Sequence, residues 1–175
     1  IYNLPIKYSG KKSLLKISEL LKEINNFNSK AYFLSQPDSL SWLLNVRDSQ
    51  LKYSPVYRGL AIINNDGKII IFTEEKCNSD FFGKHKYIEI YKYQDLPKVI
   101  KSFSKTSFML DPTMTSIKVL DLLKKNNIQV NFVDCPILKR KSIKNITEQQ
   151  NIKKIHLNDG LAFLKLWHWF ETIKS

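Results

Sequence analysis

Residues 60–72 constrain the fold most. Leu60 to Ile63 is a β-branched run, Asn64-Asn65-Asp66-Gly67 supplies turn residues, and Lys68 to Phe72 is a second apolar run. Two such runs around a segment able to reach positive φ predict an antiparallel hairpin. Any sheet that contains this hairpin is at least partly antiparallel. The segments on either side alternate between helix and strand. Leu14, Ile17, Leu20, Leu21 and Ile24 recur at three- and four-residue spacing, which predicts an amphipathic helix over 13–25 with Ser13 as its cap. Residues 31–34 read as a short strand. Pro37 then opens a helix through Leu44, because its missing N–H is not needed in a first turn. Residues 87–91 read as a strand, 96–103 as a helix and 107–110 as a strand ending at Asp111-Pro112. Residues 116–125 read as a helix with Ile117, Leu120 and Leu123 on one side, and 128–133 as a last strand. Alternation of this kind with one hairpin predicts an α/β layer fold around a mixed sheet.

The end of the chain follows a different pattern. Asn145 stands three residues before Glu148, the spacing of a capping box, and Thr147 with Gln150 offers a second register. A helix of about 25 residues is expected from there. Its apolar residues, Ile152, Ile155, Leu157, Leu161, Phe163, Leu164, Leu166, Trp167, Trp169 and Phe170, cover more than one face. A helix apolar on several sides needs partners on several sides, and each large side chain left in water forgoes about 1.5–3 kcal/mol. Together with a first residue other than methionine, this reads as a piece of a larger protein. The helix is expected to rest on its own domain or on a second copy.

Composition narrows the function. The net charge is +12, from 28 Lys and Arg against 16 Asp and Glu. Arginine, the residue suited to bidentate phosphate contacts, occurs only at Arg47, Arg58 and Arg140, and the lysines are spread along the chain. That pattern points to solvated faces rather than a nucleic-acid site. No apolar run approaches the roughly 20 residues of a membrane span, which argues against a membrane protein. Cys77 and Cys135 lack metal-like spacing and read as reduced thiols in a cytoplasmic protein. His85, His156 and His168 do not converge, although Asp159 lies within a turn of His156, so no metal site is expected in the chain. There is no glycine-rich phosphate loop and no Gly-x-Ser-x-Gly elbow, and Cys77 has no base beside it.

The most unusual stretch runs from Ser35 to Gly59. A helix with Trp42 and Leu43 leads into Asn45, Arg47 and Asp48, then Tyr53, Pro55 and Tyr57. Aromatic residues, a proline and a lone arginine after a helix suggest a shaped surface. Composition alone leaves open an ordinary connection in which Arg47 pairs with Asp48 or caps carbonyls.

Ser41-Trp42-Leu43-Leu44-Asn45-Val46-Arg47 followed by Tyr53-Ser54-Pro55-Val56-Tyr57 resembles the middle domain of three-domain Xaa-Pro aminopeptidases (aminopeptidase P). Lys141-Ser142-Ile143-Lys144-Asn145 resembles that family's domain junction. His156 to Ala162 and Trp167 to Glu171 resemble the first helix of its catalytic domain, and Tyr8-Ser9-Gly10-Lys11 also fits. The chain departs from the pattern where Asp48 replaces a glycine, Gln50 an aspartate and Ser54 an asparagine.

The resemblance implies a creatinase/prolidase N-terminal type of fold, a roughly six-stranded mixed sheet flanked by helices. It divides the chain into an α/β domain, 1–140, and a junction plus first catalytic-domain helix, 141–175. It implies a parent enzyme that removes the N-terminal residue from peptides with proline second. That chemistry would use two divalent ions, usually manganese, held in a pita-bread domain by two Asp, one His and two Glu that this chain lacks, so the isolated chain is expected to be inactive. Arg47, Asp48, Tyr53 and Tyr57 become candidates for residues facing the substrate cleft. Partners would be the remaining catalytic domain, short proline-containing peptides and, in a homodimer, a second copy. The same fold also serves as a non-catalytic binding module for acidic partners in a histone chaperone, and a prolidase or creatinase relative is a third reading.

Overall fold

The computed structural model describes residues 1–74 and 87–173. The hairpin forms as expected. β4 (Leu60–Asn64) and β5 (Ile69–Phe72) pair antiparallel, with Ala61 opposite Ile71 and Ile63 opposite Ile69. Gly67 at φ 92° closes the turn, and its N–H donates to the Asn64 carbonyl at 3.0 Å. Nothing but glycine adopts that φ without strain.

β2 (Ala31–Leu34) is buried along its whole length and joins two kinds of pairing. It lies antiparallel to β4 and parallel to β7 (Ser107–Leu110). The sheet is completed by β6 (Ile88–Tyr91), parallel to β5, and β8 (Gln129–Phe132), parallel to β7. The order is β6-β5-β4-β2-β7-β8, a mixed six-stranded sheet. The expected fold class is therefore the observed one.

Alternation along the strands sorts the core into two layers. Tyr32, Leu34, Ile63, Ile71 and Met109 face α2 (Ser13–Asn26), α3 (Pro37–Leu44) and α6 (Pro136–Ser142), with Leu20, Ile24, Leu40 and Ile137 packed on them. Phe33, Ile62, Ile70, Phe72 and Phe108 face the other way, onto Leu96 and Ile100 of α4 (Leu96–Lys101) and Val119 and Leu123 of α5 (Ile117–Lys125). Three sequence expectations shift here. Ile117 is 75% exposed and Val119 takes its place against the sheet. On α2, Leu14 is exposed, whereas Lys16 is buried. Lys12, in extended backbone, stands at the cap position, and Ser13 is the first helical residue.

Outside the main sheet, β1 (Tyr2–Asn3) pairs antiparallel with β3 (Val46–Arg47), setting Tyr2 opposite Arg47. A single turn, α1 (Ile6–Ser9), follows β1. The last helix, α7 (Ile146–Ile173), is 28 residues long. It begins on the capping box expected from sequence. The Asn145 N–H donates to Glu148 Oε2 and the Glu148 N–H to Asn145 Oδ1, both at 3.0 Å. Beyond its first two turns α7 is exposed on every side, so of the two expected placements, on its own domain or on a second copy, the first does not occur. Cys77 and His85 lie outside the described residues. Cys135 is buried and free.

A groove between the sheet domain and the last helix

A groove of about 510 Å³ opens where the C-terminal end of α3, β3, α1 and the first turns of α7 meet. Trp42, Arg47, Pro55 and Val56 line one side, Tyr8 another, and Glu148, Ile152 and Ile155 the α7 wall. A larger concavity, about 650 Å³, lies elsewhere, between α2, β8 and α6, and its Arg140 is already ion-paired to Glu23. The smaller groove gathers the chemistry.

Its floor is built from the end of α3. Asn45 closes that helix in the left-handed region at φ 55°, which asparagine tolerates better than most residues. This turn aims the Asn45 side chain back at α2, where Oδ1 accepts a hydrogen bond from Lys16 Nζ at 2.7 Å. Lys16 Nζ also donates to the Trp42 carbonyl at 2.8 Å and sits 3.9 Å from the centroid of the indole ring. Lys16 is 1% exposed. Burial pulls its pKa down to about 8, against the opposing pull of Glu148. On the far edge of the same ring, Trp42 Nε1 donates to Glu148 Oε1 at 3.2 Å.

Arg47 is half-buried beside this cluster. Its Nη1 donates to the Ser41 carbonyl at 3.1 Å and the Val46 carbonyl at 2.8 Å, and burial lowers its pKa. It thus caps carbonyls rather than pairing with Asp48. Lys141 is paired with Asp38, whose pKa is held down by that contact against the upward push of burial. Lys144 also lines the groove. With Lys16, Arg47, Lys141 and Lys144 against Asp38 and Glu148, the local balance is positive.

The four candidates from sequence are not brought together. Arg47 lines the groove. Tyr53 stands 88% exposed on the loop after β3, outside the lining. Tyr57 is 0% exposed and belongs to the core under α3, with its N–H donating to Ser41 Oγ at 2.8 Å. Asp48 is buried too, and its Oδ1 accepts the Gln50 N–H at 3.2 Å in a local turn. Asp48 does not have positive φ, so the aspartate stands without backbone strain where a glycine was expected. The sequence reading missed Lys16, Asn45 and Glu148 as neighbours of Trp42. A lysine inside an apolar helical stripe was the available signal for the first.

Gly10 closes α1 at φ 66°, and a Cβ there would come 2.2 Å from Asn145 Oδ1. Gly10→Ala is expected to lower stability by about 2 kcal/mol, from left-handed strain plus a displaced cap, read as a shift in the urea midpoint. Among the described residues no three His, Cys, Asp or Glu side chains cluster. These residues therefore do not fit a two-metal centre.

The chain is thus an α/β domain with helices on both faces of a mixed sheet, followed by a long helix beside a cationic groove. Residues 1–148 match the family model of the creatinase/prolidase N-terminal domain, and the chain belongs to that family. It is 30% identical to a probable Xaa-Pro aminopeptidase P of Laccaria bicolor over 98% of its length, covering 27% of that protein. It is 27% identical to Xaa-Pro aminopeptidase 1 of Dictyostelium discoideum, again over 98% of the chain and 27% of the relative. The chain thus spans under a third of these relatives. The fold superimposes on X-prolyl aminopeptidase from Caenorhabditis elegans, described as a cytosolic enzyme with a di-nuclear active site, with a TM-score of 0.83 and 21% identity, covering 97% of this chain and 29% of that one. Prolidase from Pyrococcus horikoshii is more distant, with a TM-score of 0.55 and 15% identity over 80% of this chain and 38% of that one. Among the described residues no helix is long and apolar enough to cross a membrane.

Proposed function

We propose that this chain is the non-catalytic domain of a metal-dependent Xaa-Pro aminopeptidase, residues 1–140, with the junction and first catalytic-domain helix, residues 141–175. The observation that carries this is α7. Leu161, Phe163, Leu164, Leu166, Trp167, Trp169 and Phe170 are all exposed on it, although they are the residue types that fold into cores. The rest of a catalytic domain is the partner that would cover them, and two divalent ions, manganese by preference, would be held there. The names of the relatives support the same reading. In it the domain borders the active-site cleft of a cytoplasmic enzyme and limits access to short peptides with proline second. Arg47, which lines the groove, would meet a peptide carbonyl or carboxylate in this reading. Asp48 and Tyr57 hold the following loop from the interior, and Tyr53 stands exposed on it, free to meet a peptide.

Two measurements test this. The isolated chain with added manganese is expected to release no N-terminal residue from an Xaa-Pro peptide, and metal-dependent release would refute the reading. In the full-length protein, Arg47→Ala is expected to raise KM for an Xaa-Pro tripeptide about tenfold, the effect of losing one charge-assisted hydrogen bond. An unchanged KM would remove Arg47 from the cleft.

A further inference from the structure

Trp42 links the buried lysine of α2 to the start of α7. One face of its indole carries Lys16 Nζ, and its Nε1 holds Glu148. Glu148 divides its two oxygens, Oε1 accepting from Trp42 and Oε2 from the Asn145 N–H that begins the helix. Asn145 Nδ2 reaches back to the Ser9 carbonyl at 2.9 Å, and Asn151 Nδ2 to the Lys7 carbonyl at 3.1 Å. Past Ile152 every described residue of α7 is exposed. The direction of a 28-residue helix, about 42 Å at 1.5 Å per residue, is therefore set by contacts within its first three turns. A small rotation at that end becomes a large displacement at the other.

We propose that Lys16, Trp42 and Glu148 form a latch that sets the angle at which α7 leaves the sheet domain, and thereby positions whatever α7 carries relative to the groove. The chemistry suits a latch better than plain packing. A buried ammonium without a carboxylate at ion-pair distance is costly unless its hydrogen bonds and an aromatic face compensate. Lys16 has two acceptors and one ring, and all of these sit on the segment Trp42–Asn45. The ring is thus held in one place before α7 docks. Its N–H then offers a single, directional contact to an acid that must already be caught in a capping box. Helix start and helix direction are set by the same carboxylate. The inference does not depend on the peptidase reading, because it concerns only geometry inside this chain.

The test places spin labels at cysteines introduced for Lys98 on α4 and Lys165 on α7, in the chain with Cys77 and Cys135 replaced by serine and alanine, and measures their distance distribution by pulsed electron resonance. A single narrow distribution is expected with Trp42 and Glu148 intact. Trp42→Phe, which keeps a ring under Lys16 but loses the N–H, and Glu148→Ala are each expected to broaden it at least twofold. Glu148→Gln keeps an acceptor for the indole and is expected to restore most of the narrowness. Hydrogen exchange at the Asn145 and Glu148 amides should rise about tenfold in Trp42→Phe, the loss of about one hydrogen bond, while the amides of β2 and β4 stay protected. That localisation separates a latch from general loss of stability. Should Glu148→Ala fail to fold, Trp42→Phe with the exchange data decides alone. A broad distribution in the unaltered chain, or one that stays narrow in Trp42→Phe, overturns the proposal.

Discussion

Replacing Tyr57 with alanine is expected to remove about 3–5 kcal/mol of folding stability, the usual cost of deleting a large buried ring. Tyr53→Ala is expected to stay within about 0.5 kcal/mol, as surface changes do. The two tyrosines lie four positions apart on one loop and look alike in sequence, both aromatic and both beside Pro55. They differ in what surrounds them. Tyr57 sits in the same cluster as Leu40, Leu43, Leu44 and Val46, and its backbone is tied to Ser41 Oγ, itself bonded to the Pro37 carbonyl at 2.7 Å. Removing the ring opens a cavity beneath α3 that the helix cannot collapse into, because Pro37 and the β1–β3 pair hold both its ends. Urea denaturation of the two variants side by side reads the difference directly. Equal midpoints would put Tyr57 outside the core.

The second large effect is expected at Asp111, just past β7. Its Oδ1 accepts from the Thr113 N–H at 2.8 Å and the Thr113 hydroxyl at 2.6 Å, and its Oδ2 accepts from the buried Cys135 N–H at 2.9 Å. The carboxylate therefore holds the end of the strand to the start of α6. Asp111→Ala loses all three charge-assisted bonds and strands the buried Cys135 N–H, for an expected loss of about 2–4 kcal/mol. Asp111→Asn should lose less, since its amide oxygen still accepts. Burial by itself would raise the Asp111 pKa, but the hydrogen bonds from Thr113 and Cys135 outweigh it and hold the group below its ordinary 3.8. A depressed folded value fixes the sign: the stability it contributes is present above about pH 3.8 and drains away as pH falls through the lower, folded pKa. Acid titration of the alanine variant should accordingly show a shallower loss of stability than the unaltered chain below that pH. Parallel acid limbs would mean the carboxylate gains nothing from its donors.

The strands and most helices were legible because their signals are local. The 60–72 hairpin carries its own turn chemistry. Residues 31–34 and 107–110 are short apolar runs bounded by polar ones. The Asn145–Glu148 spacing marked the start of α7 correctly, and the competing Thr147 register lost because only Asn145 also has a partner in α1, the Ser9 carbonyl. What sequence could not supply was contact between distant segments. β1 and β3 are two residues long each, below any periodic signal, and exist only through their pairing with each other, Tyr2 opposite Arg47. Ile117 obeys the helical spacing yet faces water, because the sheet lies to the Val119 and Leu123 side of α5. The same limit applies to the site. Arg47 stood out as a lone arginine, but the partition of Tyr53 and Tyr57 between water and core depends on where α3 falls. Lys16, twenty-six residues before Trp42, gave a faint signal as a charge within an apolar stripe, and its two acceptors were invisible.

The position of β2 has a consequence for how the chain assembles. Its four residues are the seam between a partly antiparallel half, β4 to β6, which follows within a few tens of residues, and a parallel half, β7 and β8, whose first strand arrives more than seventy residues later. Closing the longer loop costs more chain entropy, so a growing polypeptide should complete the near half first and leave one flank of Ala31–Leu34 as an unzipped margin until Ser107 emerges. During synthesis that margin is where strand-seeking strangers would attach.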